Sequence, residues 1–269
     1  MAKYNKKRAK ELQQDKFRDT TMDFVDRVGV ALEGKGRTIL YALGGLILVA
    51  VLALMLVRWN ARKGDEAQQA LGRAITLTSA PVNSAPALPG STAAVTFGSE
   101  QERAQRSIAE FEKVAAKYGD PYRTEAQYFI ATNRLAVDRP KAMNELAELS
   151  KNSNKEVASL SKFALAQAKE GDGKFDEAAQ LYAELARTPS AAVSADSANL
   201  RLAKVYAKQG KKKEASDLLF NIVDASRKSK GKDDLSSPTS GAAREAATEL
   251  QKLDPDKFAQ LPPEAPAFG

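Results

Sequence analysis

The sequence contains no cysteine and no histidine. Without cysteine, the chain forms no disulfide and offers no thiol for lipid attachment or thiolate catalysis. Without histidine, zinc sites of the Cys/His type and hydrolytic triads that use an imidazole base are excluded. The sequence therefore predicts no catalytic residues, no metal ligands and no cofactor, and an enzyme is the least expected class of protein.

Motifs for phosphate and calcium are also missing. The stretch 171–174 reads Gly-Asp-Gly-Lys, but it lacks the following Ser or Thr and the preceding strand that a phosphate-binding loop requires. Asp172, Asp176 and Glu177 do not have the ligand spacing of an EF-hand. We interpret 171–174 as a hairpin turn, and we expect no small-molecule substrate.

The basic residues are concentrated at the start of the chain. The net charge is +7 overall, and residues 1–37 hold ten Lys or Arg against six Asp or Glu. The body, residues 58–269, holds 31 basic and 28 acidic residues. Nucleic-acid binding requires a concentrated basic face, which a nearly balanced body does not provide. We therefore predict no nucleic-acid partner.

Residues 38–57 form a run of twenty without a charged side chain. At about 1.5 Å rise per residue, a helix of this length crosses the hydrocarbon core of a bilayer. The run begins 37 residues into the chain and is followed by Arg58, Arg62 and Lys63 without a small-x-small site, which favours a retained anchor over a cleaved signal peptide. The basic tail predicts a cytoplasmic N-terminus and a body outside the cytoplasm. The opposite orientation, with the body acting as a cytoplasmic sensor, is the alternative.

The pattern of breaks divides the rest of the chain. Residues 1–37 are a basic tail, and apolar spacing predicts a helix from about 12 to 32 that lies on the membrane surface or packs against a partner. Residues 58–101 contain a helix at 65–77 and a Pro/Ser/Ala-rich loop or flexible linker at 78–99. Residues 102–253 are helical throughout, apart from turns and an insert at 228–240. Residues 254–269 are Pro-rich and are expected to be extended. The predicted fold class is all-α.

A repeat of helical hairpins runs through 102–253. In the unit 197–223, Leu202, Ala203 and Tyr206 share one helix face, Gly210 marks the turn, and Ala215 opens the facing stripe of a second helix. Similar units occupy 159–190 and 123–150, and a half-unit occupies 102–121. The anchor alanines Ala109, Ala142, Ala178 and Ala215 lie 33, 36 and 37 residues apart. This pattern resembles the tetratricopeptide repeat, which implies a solenoid of helical hairpins. An unrelated helical bundle is the alternative.

The first helices of such hairpins usually line a concave binding face. Counting from the anchors places Ala131 and Leu200 on it, together with the eight residues that we predict to bind protein: Thr124, Gln127, Arg134, Leu160, Phe163, Gln167, Lys204 and Lys208. Leu160 and Phe163 would form an apolar centre between Arg134 and Lys204. This arrangement suits an amphipathic or unfolded segment that carries acidic residues. The alternative is that Phe163 is buried between hairpins.

The order of these segments resembles the ancillary Sec translocon subunit of the bacterial inner membrane, whose periplasmic repeat domain is shared with a cell-division coordinator. The resemblance covers roughly residues 12–253 and lies in the architecture and the repeat. It implies a single-pass inner-membrane protein that contacts the Sec translocon, periplasmic chaperones or emerging unfolded clients. A structural organiser of envelope assembly or cell division is the alternative function.

Overall fold

A computed structural model describes residues 36–82, 96–230 and 240–263. Within these ranges the regular structure is helical, apart from one isolated bridge between Val82 and Phe97. The predicted all-α fold is confirmed for this part of the chain. The predicted surface helix at 12–32, the middle of the linker, most of the insert and the end of the tail lie outside the described residues.

Ten helices follow one another along the described ranges. In chain order they are α1 (Gly36–Thr78), α2 (Glu100–Lys117), α3 (Tyr122–Arg134), α4 (Arg139–Leu149), α5 (Lys155–Gly171), α6 (Phe175–Arg187), α7 (Ala195–Lys208), α8 (Lys212–Lys230), α9 (Gly241–Leu253) and α10 (Pro255–Phe258).

The chain divides into two compact units, residues 1–65 and 66–269. The predicted span 38–57 lies within the part of α1 that belongs to the first unit. Of its side chains, the structure describes those of 48–53 and 55, and Leu48, Val49 and Met55 are exposed there. Among the described residues, no helix has an apolar stretch long enough to cross a membrane. The membrane span therefore stays a prediction.

In the second unit, the helices from α2 to α9 are stacked as hairpins. Each helix packs against the next along the chain, and α3 also packs against α5, as α7 does against α9. When successive hairpins stack, the first helix of one hairpin contacts the first helix of the next, as in these two pairs. The second unit is therefore an array of stacked helical hairpins, as the repeat in the sequence predicted.

The turns inside the hairpins use the residues that the sequence indicated. Gly173 joins α5 to α6 and Gly210 joins α7 to α8, with φ of 74° and 76°. Glycine adopts this left-handed conformation without a steric penalty. The turn from α3 to α4 has no glycine. There the Asp138 carboxylate accepts a hydrogen bond from the Lys141 amide at 3.2 Å, and Pro140 lies in the first turn of α4.

The buried residues of the hairpins repeat in one register. Each first helix buries a small residue, a branched aliphatic residue four positions later, and alanine directly after it. Each second helix buries a small residue and a large apolar residue four positions later. The first-helix sets are Ala126, Ile130 and Ala131; Ser161, Leu165 and Ala166; and Ala198, Leu202 and Ala203; the second-helix pairs are Ser107 and Phe111, Ala142 and Leu146, Ala178 and Tyr182, and Ala215 and Leu219.

This register corrects one predicted anchor. Ala109 is exposed, and the equivalent buried position in α2 is Ser107, which lies 35 residues before Ala142. Two residues along a helix correspond to a rotation of about 200°, so Ala109 and Ser107 lie on opposite faces. The alanine pattern does not include Ser107, because its side chain is a hydroxymethyl group and not the methyl group of alanine.

The ends of the predicted flexible linker are fixed on the repeat array. Val82 bridges to Phe97, and both Ala80 and Phe97 are buried. The guanidinium of Arg103 donates a hydrogen bond to the Ala80 carbonyl at 3.2 Å. Both described ends of 78–99 therefore fit the expected loop, apart from Thr78, which is the last residue of α1. The helix predicted at 65–77 is present, but it is the last part of the long helix α1.

Residues 254–263 fold onto the last hairpin instead of extending from Asp254. The Asp254 carboxylate caps α10 by accepting from the Lys257 amide at 3.1 Å, with Pro255 in the first turn. Leu261 is buried in the core that α7, α8 and α9 share, and Arg227 donates to the Pro262 carbonyl. These contacts cover the apolar end of the array, as capping elements of repeat proteins do.

We expect Ala203→Leu and Ala215→Leu each to lower the free energy of unfolding by roughly 1–3 kcal/mol, because both alanines are fully buried and a larger side chain overpacks the helix crossing. Thermal unfolding followed by circular dichroism measures the effect. Ala109→Leu is the control, since its side chain is exposed and its unfolding curve should not shift. Equal shifts in all three variants would contradict the register.

We expect Ser107→Ala to raise the free energy of unfolding by about 1 kcal/mol, because the Ser107 hydroxyl is buried without a hydrogen-bond partner among the described residues. Ser216→Ala is the control. That serine is also buried in a helix, but its hydroxyl donates to the Lys213 carbonyl at 3.0 Å. The same unfolding measurement should show a gain for Ser107→Ala relative to Ser216→Ala. A loss at Ser107 would show that its hydroxyl has a partner in solution.

Candidate protein-binding surface

The eight predicted binding residues lie on α3, α5 and α7, which are the first helices of three successive hairpins. Gln127, Gln167 and Lys208 are exposed, Arg134, Leu160, Phe163 and Lys204 are half-buried, and Thr124 is buried. Ala131 and Leu200, which were counted on the same face, are buried in the core. The structure therefore divides the predicted set into residues that a partner can reach and residues that support the fold.

Thr124 belongs to the supporting group. Its side chain is 7% exposed and its hydroxyl donates to the Asp120 carboxylate at 2.6 Å. The buried register explains the error in α3. Ala126 is equivalent to Ser161, so the residues equivalent to Leu160 and Phe163 are Glu125 and Tyr128, one position after Thr124 and Gln127. Counting back from the anchor Ala142 gave this shift, because Ala142 lies only 16 positions after Ala126, whereas the equivalent residues of the other two hairpins are 17 positions apart.

The corrected positions define a surface that we call the first-helix face. It consists of Glu125, Tyr128, Leu160, Phe163, Gln167 and Lys204. Burial raises the pKa of Glu125 and of Tyr128. Among the described residues, no cation forms an ion pair with Glu125. The face is thus a partly apolar surface with one unpaired carboxyl group.

Phe163 has both an exposed and a buried side. Its ring meets the buried Tyr182 ring edge-to-face, with 5.6 Å between centroids and 67° between planes, and Leu160 packs against the same core. Such aromatic pairs contribute about 0.5–1.5 kcal/mol beyond the area they bury. Phe163 therefore helps to hold α5 on α6, and its remaining surface is available to a partner.

The cations predicted to attract an acidic partner are already paired within the chain. Lys208 donates to the Glu170 carboxylate at 2.6 Å, and Lys204 donates to Glu245. The hydrogen bond from Lys204 lowers the pKa of Glu245. Arg134 pairs with Glu145 and, at 3.5 Å, with Glu112. These basic groups connect neighbouring helices and offer little net positive charge to a ligand.

One of these pairs extends into the core. The buried Tyr182 hydroxyl donates to Glu170 at 3.2 Å, and the other oxygen of Glu170 accepts from Lys208. Burial, followed by the neighbouring Glu170 charge, raises the pKa of Tyr182 well above its ordinary value. The phenol therefore stays protonated and keeps donating. This chain of bonds joins α6, α5 and α7.

A groove of about 590 Å³ lies between α2, α3 and α4, and we call it the seam groove. Ala115, Ile130 and Leu149 provide apolar surface, and Gln127 and Asn144 provide amide groups. The charged residues that line it are Arg134, Glu112, Glu145 and Glu148. Gln127 and Arg134 were predicted to bind protein, and the structure brings them together here. The three glutamates were missed because they lie on helices that the prediction did not assign to a binding face.

Within the described ranges, no group of three or more acidic side chains is arranged to hold a metal ion. No protein-family model matches the sequence, and a search of curated proteins finds no match. A search of solved structures finds a Podosopora anserina protein described as a kinesin light chain with nearly identical TPR-like repeats. It is 18% identical, the match covers 59% of this chain and 81% of that chain, and the TM-score is 0.42. The assignment of the repeat fold therefore depends on the helix pairs and the buried register described above.

We expect Arg134→Met to lower the free energy of unfolding by roughly 1–3 kcal/mol at neutral pH, because Glu145 and Glu112 then lose their shared cation. The loss should be smaller in a chain that already carries Glu145→Gln, because one of the two carboxylates that need the cation is then absent. Lys113→Met is the control, since its pair with Glu110 is exposed and lies within one helix. Urea unfolding with and without Glu145→Gln measures the effect, and an equal loss in both backgrounds would show that packing dominates.

Proposed function

We propose that this protein is a membrane-anchored scaffold for protein interactions and that it is not an enzyme. The observation that carries the proposal is the array of stacked helical hairpins in one register, in a chain that also holds an apolar run of twenty residues before the array. Arrays of this kind present continuous surfaces built from many helices, which suits binding of polypeptides. The first-helix face and the seam groove are the two surfaces that such a partner could contact.

The membrane anchor is supported by the sequence of α1. In the sequence, the run 38–57 has the twenty uncharged residues that a bilayer span requires, and residues 48–53 are exposed on every side of the helix. Leu48, Val49, Val51 and Leu52 are among them. A helix that is apolar all round belongs in a protein core or in a membrane. The ten basic residues before the run support a cytoplasmic N-terminus and a periplasmic body.

We propose the Sec translocon as the site of action, with periplasmic chaperones or emerging unfolded clients as further partners. Support comes from the order of segments: basic tail, apolar run and hairpin array resemble the ancillary translocon subunit of the bacterial inner membrane. The second candidate is an organiser of envelope assembly or cell division, which the same hairpin array would serve.

In bacterial spheroplasts that carry the full chain, we expect added protease to digest residues beyond 58 and to spare the tail, because the body faces outward. Immunoblots with tags at each end give the readout, and lysed spheroplasts provide the control in which both ends are digested. A body that is protected in intact spheroplasts would contradict the orientation, and a chain found entirely in the soluble fraction would contradict the anchor.

Partner identity is tested in the same cells with a photo-crosslinking residue in place of Gln167 on the first-helix face. Gln180 on α6 is the matched control, since it is also an exposed glutamine. Adducts with translocon subunits that form from position 167 and are absent from position 180 would support the proposal. Adducts with cell-wall synthases instead would favour the organiser. Equal adducts from both positions would contradict a role for this face.

A further inference from the structure

The seam groove combines apolar walls with an excess of negative charge. Its lining holds three glutamates and one arginine, and Arg134 already contacts two of the glutamates. The Arg134 side chain is only 13% exposed, so it has little capacity to receive a further anion. The Glu112 and Glu148 side chains are 58% and 77% exposed. The groove is therefore suited to a ligand that supplies positive charge.

Neighbouring cations do not cancel this excess. Lys151 pairs with Glu148 at 2.9 Å, but both side chains are at least 70% exposed, and Lys151 lies in the turn just after the end of α4, so the pair is weak and exchangeable. Arg123 uses its Nε to donate to the Ala115 carbonyl at 3.3 Å. The contact of Arg134 with Glu112 is long, at 3.5 Å. Glu112 and Glu148 thus remain accessible to an incoming cation.

The apolar surface favours a ligand with a carbon stem as well as a charge. Ile130 is 8% exposed and lies in the core that α2 and α3 share, while Ala115 and Leu149 are half-buried beside it. Lysine and arginine lay their methylene groups along apolar surface while the charged end stays solvated or paired. A neighbouring leucine or isoleucine on the ligand would bury further area against the same surface.

We propose that the seam groove binds a basic peptide segment of a partner protein, in which a lysine or arginine lies next to a large aliphatic residue. The cation contacts Glu112 and Glu148, and the aliphatic side chain packs on Ala115 and Leu149. This proposal rests on the role as an interaction scaffold and specifies the class of ligand. It reverses the charge expected of the partner from the sequence, because the predicted basic residues are neutralised within the chain.

The test measures fluorescence anisotropy of a labelled peptide with the full chain in nonionic detergent. The peptide is a Gly/Ser chain of about twelve residues with two Lys-Leu pairs, and matched peptides carry Glu-Leu or Lys-Ser pairs. We expect the Lys-Leu peptide to bind most tightly and to weaken in high salt, as exposed charges are screened. No binding of the Lys-Leu peptide, or equal binding of the Glu-Leu peptide, would overturn the proposal.

Two pairs of variants locate the binding site. Glu112→Gln with Glu148→Gln should weaken binding by about three- to tenfold, as loss of two partly exposed ion pairs predicts. Glu156→Gln with Glu214→Gln is the control, because it removes the same charge from exposed positions outside the groove. Ala115→Arg should block the groove, whereas Ala116→Arg changes an exposed neighbour on the same helix. Equal effects of test and control variants would overturn the assignment to the groove.

Two competing ligands test whether the seam groove holds an occupant other than a basic peptide of a partner. If spermidine displaces the peptide as effectively as unlabelled peptide does, the groove recognises charge alone, which overturns the apolar contact. If a peptide of residues 1–12 of this chain binds more tightly and deletion of those residues frees the site, the occupant is the basic tail instead of a partner. If the seam groove does not bind the basic peptide, the results for membrane orientation and for crosslinking from position 167 still stand. The groove proposal and the proposed scaffold function can therefore be contradicted independently.

Discussion

The second unit depends on close approach of neighbouring helices. Helices can approach this closely only where one of them carries a very small side chain. The buried positions Ala142, Ala178 and Ala215 meet this requirement in the second helices, and Ala203 does so in a first helix. Large residues four positions later, such as Tyr182, fill the space beside the crossing. Hairpin shape, stacking of the next hairpin and the position of every surface residue follow from this constraint.

Charged side chains add a second set of connections between the helices. Arg139 donates to Asp172 at 2.7 Å and to the Ala168 carbonyl at 2.7 Å, so α4 is tied to the C-terminal end of α5. Lys204 and Lys208 join first helices to their neighbours in the same way. Exposed ion pairs contribute little individually, about 0–1 kcal/mol each. Their larger consequence is for recognition, because a cation that is held by a carboxylate of its own chain presents little charge to a partner.

The sequence predicted the repeat better than it predicted the binding surface. Small residues at a period near 35, with glycine at the turns, identify hairpins whichever side chains surround them, and the positive φ of Gly173 and Gly210 confirms those turns. The errors arose where a repeat departs from the common pattern. Ser107 replaces an anchor alanine, and the α3–α4 hairpin is one residue shorter between Ala126 and Ala142, so Thr124 was counted on the surface. Ion pairs such as Lys208 with Glu170 join residues 38 positions apart, and no local pattern predicts them.

Ion pairs within the chain explain why the partner charge that we infer from the structure is opposite to the charge predicted from the sequence. A count of lysine and arginine along the first helices treats each cation as free, and it therefore predicts an acidic partner. The fold brings Glu245, Glu170, Glu112 and Glu145 to those cations from other helices. The charge that a partner meets is the charge left after this internal pairing, and in the seam groove the remainder is carboxylate. In this array, ligand charge is therefore better inferred from the net charge of the assembled surface than from the composition of the helices that line it.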